Sequence, residues 1–216
     1  MGVSKVMQAR AVKTREKVIL AAAEVFDEAG FAGASMKRIG QRAGTTMGAI
    51  YFHFKTKGEL AQAVLDAQPD MILPFLRSEG LQRLVDITLS WSWALQYDPM
   101  LRAGVRLVIE QSAFQLQDDT LYADWKRTMI ECLEVAREKG DLVADVDLGE
   151  LVEHLAACFT GTQLYSQIVG ARADLPQRIA RLWHFLLPGI VASAEVAERI
   201  VLDPGVWRPE WHGAPS

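Results

Sequence analysis

The chain has 216 residues, half of them hydrophobic, and its 23 Lys and Arg against 27 Asp and Glu leave a net charge of −4. No apolar run approaches the length of about 18 residues that a membrane span needs, and the N-terminus has no hydrophobic signal region, so we expect a cytoplasmic protein that does not enter a membrane. Residues 1–66 carry ten Lys and Arg against six Asp and Glu, a net charge of +4, whereas the remainder carries thirteen against twenty-one, a net charge of −8. Only the N-terminal part therefore has a charge suited to a polyanion.

The first predicted helix has one apolar face of small and aromatic residues. This face is formed by Ile19, Ala22, Ala23 and Phe26, and it follows the basic residues Arg10, Lys13, Arg15 and Lys17. The spacing is that of an amphipathic helix, so this segment supplies a third helix to a small N-terminal core.

Residues 35–57, SMKRIGQRAGTTMGAIYFHFKTK, predict two short helices that meet at a tight corner. Ser35 is a good N-cap for the first helix, and Gly44 can adopt the left-handed conformation that ends it. Thr45 or Thr46 can cap the second helix, whose Ile50 points back to the core. A corner this short is typical of a helix-turn-helix DNA reader.

From about residue 80 onward, the apolar periodicity predicts further helices and no strands. Helices are expected from Leu81, from Asp98-Pro99 to Ile109, over residues 121–139 up to Gly140, from about Asp147 to Val169, from Asp174 to Pro188-Gly189, and over about 190–201. Residues 115–120 form a polar break, and the segment after Asp203 is expected to be irregular. The sequence thus predicts an all-α protein with a DNA-binding domain at residues 1–58 and a helical bundle at residues 59–216.

The chemistry-bearing residues argue against an enzyme. The four histidines are scattered, no Gly-rich phosphate loop is present, and Cys132 and Cys158 lack metal-ligand spacing. We therefore expect no catalytic residues, no metal and no cofactor, and we expect both cysteines to be buried free thiols.

The second helix of the pair is expected to read DNA. Small residues near Thr46, Gly48 and Ala49 let the backbone approach the major groove. Tyr51, His53 and Lys57 are candidates for phosphate contacts; alternatively, Tyr51 is half-buried core and His53 a solvated surface residue. Further backbone contacts are expected from Arg38 and from the pair Thr14-Arg15.

The N-terminal third resembles the DNA-binding domain of the tetracycline-repressor (TetR) family of bacterial regulators. The matching residues are Thr14-Arg15, Ala22-Ala23, Phe26, Gly30, Ser35, Ile39, Ala43-Gly44, Gly48-Ala49, Tyr51-Phe52-His53-Phe54, Lys57 and Leu60. With this resemblance, the predicted DNA-binding set is Thr14, Arg15, Ser35, Arg38, Thr45, Thr46, Met47, Gly48, Ala49, Tyr51, His53 and Lys57.

Two positions depart from the family pattern, since Thr45 stands where valine is usual and Met47 where lysine is usual. Met47 either packs in the core, because it precedes Ile50 by three residues, or points into the groove. In the groove its thioether can touch a thymine methyl but cannot pair with guanine.

Specific reading of a near-palindromic operator requires a homodimer, because two recognition helices must lie about 34–36 Å apart on double-stranded DNA. The resemblance implies that the dimer contact is formed by the stripe through residues 151–169 and by Ile179, Leu182, Trp183 and Leu186. Apolar stripes also serve a monomer core, so Trp183 and His184 have packing within one subunit as an equal alternative.

A second, narrower resemblance spreads over most of the chain and is to the γ-butyrolactone autoregulator receptors. It is carried by the recognition helix, Leu65-Asp66-Ala67-Gln68, residues 99–107 (PMLRAGVRL), Tyr122-Ala-Asp-Trp125 and Phe159-Thr-Gly-Thr162. Such receptors repress antibiotic-production genes until a small butanolide or butenolide signal releases them from DNA.

The second resemblance implies an effector pocket in the bundle, with Trp125 as a wall, Gln68 at its lower edge and Thr162 as a hydrogen-bond donor to the lactone. Each has a plain alternative. Trp125 is then a core aromatic, Thr162 bonds the carbonyl one turn back, and Gln68 caps a helix end. The expected effector is small, apolar and uncharged.

The alternative functions are a TetR-type repressor that answers another small apolar ligand in drug-efflux or catabolic control, and a ligand-blind pseudo-receptor.

Overall fold

The computed structural model describes residues 2–68, 73, 76–110 and 120–205, and within these residues it is built from α-helices. The helices are α1 (Gly2–Gly33), α2 (Met36–Ala43), α3 (Met47–His53), α4 (Lys57–Asp66), α5 (Gly80–Tyr97), α6 (Pro99–Ile109), α7 (Thr120–Glu138), α8 (Leu148–Gly170), α9 (Leu175–Ile190) and α10 (Ala194–Arg199). The all-α prediction is confirmed. The polar break expected at residues 115–120 lies almost wholly outside the described residues, as does the chain after residue 205.

The chain forms two compact units. The first contains residues 1–71 and 98–118, and therefore α1–α4 together with α6; the second contains residues 72–97 and 119–216, and therefore α5 and α7–α10. The division expected after residue 58 does not coincide with these units, because the first unit also takes in α4 and α6. Helical periodicity identifies each helix but does not say which neighbour the helix packs against.

α1 is longer than the apolar pattern predicted, and its last turn is interrupted at Gly30. This residue has φ 69° and ψ 179°, outside the helical range, so the chain turns there before Phe31. Positive φ favours glycine. Ahead of the turn, α1 contributes the buried residues Val18, Ala22, Val25 and Phe26 to the core of the first unit.

α6 is held against the end of α1 by polar contacts. The Arg102 guanidinium is paired with the Asp27 carboxylate at 2.8 Å, and Arg106 donates to the Asp27 carbonyl at 2.8 Å. Glu110, which follows α6, accepts the Phe31 amide hydrogen at 2.7 Å. α6 begins where predicted, with the Asp98 carboxylate capping the Met100 amide at 2.7 Å.

The core of the second unit contains Trp183 of α9, which is fully buried. Its indole N–H donates to the Thr88 hydroxyl of α5 at 2.8 Å, and its ring lies 5.7 Å from that of Phe159 of α8. α8 begins beside Asp147, where the sequence predicted, and the Asp147 carboxylate caps it by accepting the Glu150 amide hydrogen at 3.0 Å. Cys132 is buried and Cys158 is half-buried; both are free thiols.

The last helix is shorter than the predicted residues 190–201. The chain leaves α9 in an extended conformation, in which Val191 pairs with Leu142 and the Ala192 amide donates to the Asp141 carbonyl at 2.9 Å. Ser193 then caps α10. The long-range pairing with the segment after α7 accounts for the difference. Across the described residues, no helix is both long and apolar enough to cross a membrane.

Candidate DNA-reading surface and effector site

The corner between α2 and α3 is built by three local features that the sequence predicted. The Ser35 hydroxyl accepts the Arg38 amide hydrogen at 3.2 Å and starts α2. Gly44 ends α2 in the left-handed conformation with φ 57°. Of the two candidate caps for α3, Thr46 takes this role, since its hydroxyl accepts the Ala49 amide hydrogen at 3.2 Å. The side-chain hydroxyls of Ser35 and Thr46 thus fix the start of each helix.

α3 buries Ile50, and Phe54 directly after it, while its opposite face stays open. Gly48 is exposed, and a Cβ added to it would meet no heavy atom within 4 Å. Thr45 and Ala49 beside it are half-buried. A surface with so little side-chain bulk lets another molecule approach the helix backbone closely.

Met47 lies at the surface and not in the core. It is exposed, and its sulfur lies 3.4 Å from the position a Cβ would take on Gly40. The thioether therefore rests against the end of α2 with one side free. The sequence left two alternatives for Met47, packing in the core or pointing into the DNA groove. The structure favours the second, because the side chain is accessible on the surface of α3.

Tyr51 and Phe52 are exposed aromatic residues on α3, and His53 is half-buried beside them. The exposure of Tyr51 excludes the half-buried core alternative. Phe52 is 73% exposed and its ring lies edge-on to His53 at 5.0 Å. Phe52 is absent from the predicted DNA-binding set, although a large aromatic residue two positions after a buried isoleucine could have indicated its exposure.

Lys57 is engaged inside the first unit. Its ammonium donates to the carbonyl oxygens of Phe31 at 2.6 Å and Ala34 at 2.9 Å, and it lies 4.2 Å from the centre of the Phe31 ring. Burial lowers the pKa of this ammonium. Two carbonyl bonds and a cation–π contact commit the charge to the end of α1. The geometry thus favours a structural role for Lys57 over the predicted phosphate contact.

Arg38 is also paired within the first unit. Its guanidinium lies 2.7 Å from Glu28, which also binds Arg42, and Arg42 reaches Glu24 at 2.8 Å. The hydrogen bond from Arg42, together with the neighbouring charges, lowers the pKa of Glu28. These pairs join α1 to α2 at the surface. The charge that Arg38 offers to a phosphate is correspondingly reduced.

The pair Thr14-Arg15 lies on α1. The Thr14 hydroxyl donates to the Arg10 carbonyl at 2.9 Å, and the exposed Arg15 guanidinium lies 5.2 Å from the centre of the Phe54 ring, directly after α3. Arg15 is thereby placed beside the C-terminal end of α3 with its charge open to solvent.

Trp125 and Thr162 lie in the second unit, on the packed helices α7 and α8. The half-buried Trp125 ring meets Trp91 of α5 edge-on at 4.7 Å. Within the described part of the chain, the Thr162 hydroxyl forms no hydrogen bond, so the alternative of a bond to the carbonyl one turn back is not realised. An aromatic pair and a half-buried hydroxyl that forms no bond within the described residues are components found in sites for small apolar ligands.

Gln68, the third predicted effector residue, lies in the first unit. It is 2% exposed, and its side-chain amide donates to the Met100 carbonyl of α6 at 3.1 Å. A Cβ on Gly104 would lie 1.4 Å from the Gln68 amide nitrogen. The structure thus groups Gln68 with α4 and α6, apart from the unit that holds Trp125 and Thr162.

A cavity of about 660 Å³ in the second unit has a different character. Charged and polar residues dominate its lining, which consists of Glu79, Gln82, Asp86, Lys139, Asp141, Arg199, Ile200 and Val201. Lys139 pairs with Glu79 and Arg199 with Asp141 across it. It contains neither Trp125 nor Thr162 and is therefore not the effector site that the sequence predicted.

Comparison with known families decides the identity. Residues 18–64 match the family of bacterial regulatory proteins described as tetR, and residues 78–192 match the tetracyclin repressor-like C-terminal domain. The chain belongs to the TetR family. Its first match covers α2, α3 and the greater part of α4, and its second covers α5 to α9.

Relatives of this TetR-family chain include regulators from Streptomyces species. It is 37% identical over 190 residues to the A-factor receptor protein of Streptomyces griseus, covering 88% of this chain and 68% of that protein. It superimposes on TylP, a TetR regulator from Streptomyces fradiae, with a TM-score of 0.83 at 32% identity, covering 92% and 95% of the two chains. A γ-butyrolactone receptor described as ArpA-like gives a TM-score of 0.70 at 26% identity, covering 93% and 100%.

TetR-family regulators bind operator DNA as dimers, and the second unit has an exposed apolar surface. This surface, the α8–α9 face, consists of Tyr165, Ile168, Val169 and Phe185. Ile168 is 81% exposed and Phe185 is 72% exposed. Of the interface residues expected from the sequence, Ile179 and Trp183 are instead buried within the subunit, and Trp183 contacts Thr88 of α5 and Phe159 of α8. His184 is exposed beside Phe185.

Proposed function

We propose that this protein is a dimeric repressor that binds a near-palindromic operator through α3 and is released by a small γ-butyrolactone or butenolide signal. The likeness to the A-factor receptor protein carries this proposal, since it extends over 88% of the chain and so includes the second unit. A likeness confined to the N-terminal DNA-binding domain would support only DNA binding.

The second unit offers chemistry that suits a lactone. Trp91 and Trp125 provide an apolar aromatic wall, and Thr162 provides a hydroxyl that is free to donate to a lactone oxygen. Residues 156–169 of α8, which include Thr162, carry no charged side chain, so a ligand without charge is favoured beside this part of the helix.

Release follows from differential binding. An effector that binds better to the conformation unsuited to the operator lowers the population that binds DNA, and it lowers operator affinity by no more than that difference in affinity. Control of antibiotic-type secondary metabolism is the physiological role that this proposal implies.

The test starts with DNA selected from random duplexes by the purified protein. A synthetic γ-butyrolactone with an alkyl side chain is added to the complex and DNA release is measured by fluorescence anisotropy, with a panel of antibiotics as the comparison. Release by the lactone alone supports the proposal. Release only by antibiotics would assign the protein to a drug-responsive class of TetR regulator, and no release by either would indicate a pseudo-receptor.

A further inference from the structure

The turn at the end of α1 is bonded from α4 and from α6. Lys57, at the start of α4, donates to the carbonyl oxygen of Phe31 at 2.6 Å. From the other side, Glu110 accepts the Phe31 amide hydrogen at 2.7 Å and holds Arg106 at 2.9 Å. Both polar groups of one turn residue are therefore taken up by different helices, which fixes each helix relative to α1.

Gly30 is required for this arrangement. A Cβ added to Gly30 would lie 2.5 Å from one carboxylate oxygen of Glu110 and 2.9 Å from the Arg106 guanidinium. Because Gly30 also has positive φ, a side chain there would strain the turn and displace the Glu110 carboxylate and the Arg106 guanidinium from their present positions.

The far end of α4 is fastened to α6 by Gln68. Its buried amide donates to the Met100 carbonyl at 3.1 Å and fills the space that a side chain on Gly104 would occupy. Gly104 lies one helical turn after Met100, so the missing Cβ opens the groove into which the amide fits.

Together these contacts join three helices to one another. Lys57 joins α4 to α1, Glu110 joins α6 to α1, and Gln68 joins the end of α4 to α6. We call these three joined helices the α1–α4–α6 frame. α3 ends at His53 and α4 begins at Lys57, so only three residues separate the recognition helix from this frame. A change in the tilt of α4 must therefore change the direction of α3.

We propose that Gln68 is a positioning residue for operator reading: it locks α4 onto α6 and thereby holds α3 at the angle that the operator requires. This differs from the effector contact that the family resemblance implied for Gln68. The inference rests on operator binding by α3 and on no property of the effector.

The experiment compares Gln68→Ala, Gln68→Met, Gly104→Ala and the double variant Gln68→Ala/Gly104→Ala with the parent. Gln68→Met keeps the side-chain volume and removes the donor, so the fold is retained. Gln62→Ala is the matched control, because Gln62 is an amide on α4 whose bond to Asp66, at 2.9 Å, stays within that helix. Affinities for the selected operator and for unrelated duplex DNA, thermal midpoints, and lactone-induced tryptophan quenching are measured for each.

Each single variant at Gln68 or Gly104 is expected to bind the operator about tenfold more weakly, the effect of losing one buried hydrogen bond. Affinity for unrelated DNA stays at the parent value, because the basic surface is unchanged. The double variant should resemble Gln68→Ala alone, since Gly104→Ala acts by displacing the Gln68 amide. Gln62→Ala and the tryptophan quenching should remain as in the parent.

Two results overturn the inference. If Gln68→Ala and Gln68→Met keep the parent operator affinity while their thermal midpoints fall, Gln68 is only a packing residue. If they keep operator affinity and lose lactone quenching, Gln68 is an effector contact. Failure of the parent itself to select any duplex contradicts the proposed function and is seen before any variant is made.

Discussion

Met47 is the residue with the most direct bearing on sequence preference, because its thioether is exposed on the first turn of α3. Met47→Lys should tighten operator binding and shift the preferred base at one symmetric pair of positions, since lysine can donate to guanine; a good contact gives about 1–3 kcal/mol of discrimination. Affinities for a panel of singly altered duplexes measure this, with Met47→Leu as the control for shape. A fall in thermal stability without any change in DNA binding would instead place Met47 in the packing of the head.

Tyr51 and His53 are expected to contact phosphates, whereas Lys57 is expected to stabilise the fold. Replacing Tyr51 or His53 with alanine should weaken binding to all duplexes alike, as loss of a phosphate contact does, and the His53 change should reduce the salt dependence wherever the imidazole is charged. Lys57→Met should chiefly lower the free energy of unfolding, by about 1.5–3 kcal/mol, because carbonyl oxygens at the end of α1 lose a charged donor. Urea unfolding and a salt titration of operator affinity distinguish the two. Unchanged stability, with a salt slope reduced by about one, would restore the phosphate role of Lys57.

These residues also show what could be predicted from sequence. The caps Ser35 and Thr46 were predictable because a cap and its amide partner lie three residues apart. Lys57 and Gln68 were not, because their partners are 23 to 36 residues away and on other helices. Local patterns specify local bonds, and tertiary bonds of polar side chains require the packing itself.

At the scale of the helices, α7 and α8 carry the proposed effector site. Trp125→Ala should keep operator binding and abolish the response to the lactone, since the effector loses an aromatic wall while the head is untouched. Thr162→Val keeps the side-chain shape and removes the donor, so lactone affinity should fall by about 0.5–1.5 kcal/mol. Thr160→Val, two residues away on α8, is the matched control. Full lactone response in both Trp125→Ala and Thr162→Val would place the effector elsewhere.

The helices themselves were largely predictable, since their apolar stripes and caps are local. α6 and α8 begin where the sequence predicted, whereas α10 is shorter than expected because residues 191–193 bond to the segment after α7. The place of α6 in the first unit was not predictable, because its apolar stripe fits either unit. In the structure, the polar contacts of Arg102, Arg106 and Glu110 with the end of α1 hold α6 in the first unit.

At the scale of the whole molecule, dimer formation and operator binding should be lost together. Phe185→Glu and Ile168→Glu each place a charge on the α8–α9 face, where burial against a second copy would be costly. Both variants should sediment as monomers and lose most of their operator affinity, because one recognition helix contacts too little DNA for specific binding. Val201→Glu, an exposed apolar residue outside this face, should remain dimeric. Dimers of both variants that bind DNA normally would exclude this face as the interface.

The most direct test of the account is a titration of the preformed operator complex with the alkyl γ-butyrolactone, following DNA anisotropy and tryptophan emission in the same cuvette. Reciprocal coupling requires that effector binding and DNA release report the same equilibrium. The account predicts that tryptophan quenching and DNA release rise together and saturate at the same lactone concentration, and that Trp125→Ala abolishes both signals of the effector. Two results would contradict the account. In the first, the operator complex remains intact at lactone concentrations that saturate the tryptophan signal. In the second, the lactone causes no change in tryptophan emission at all.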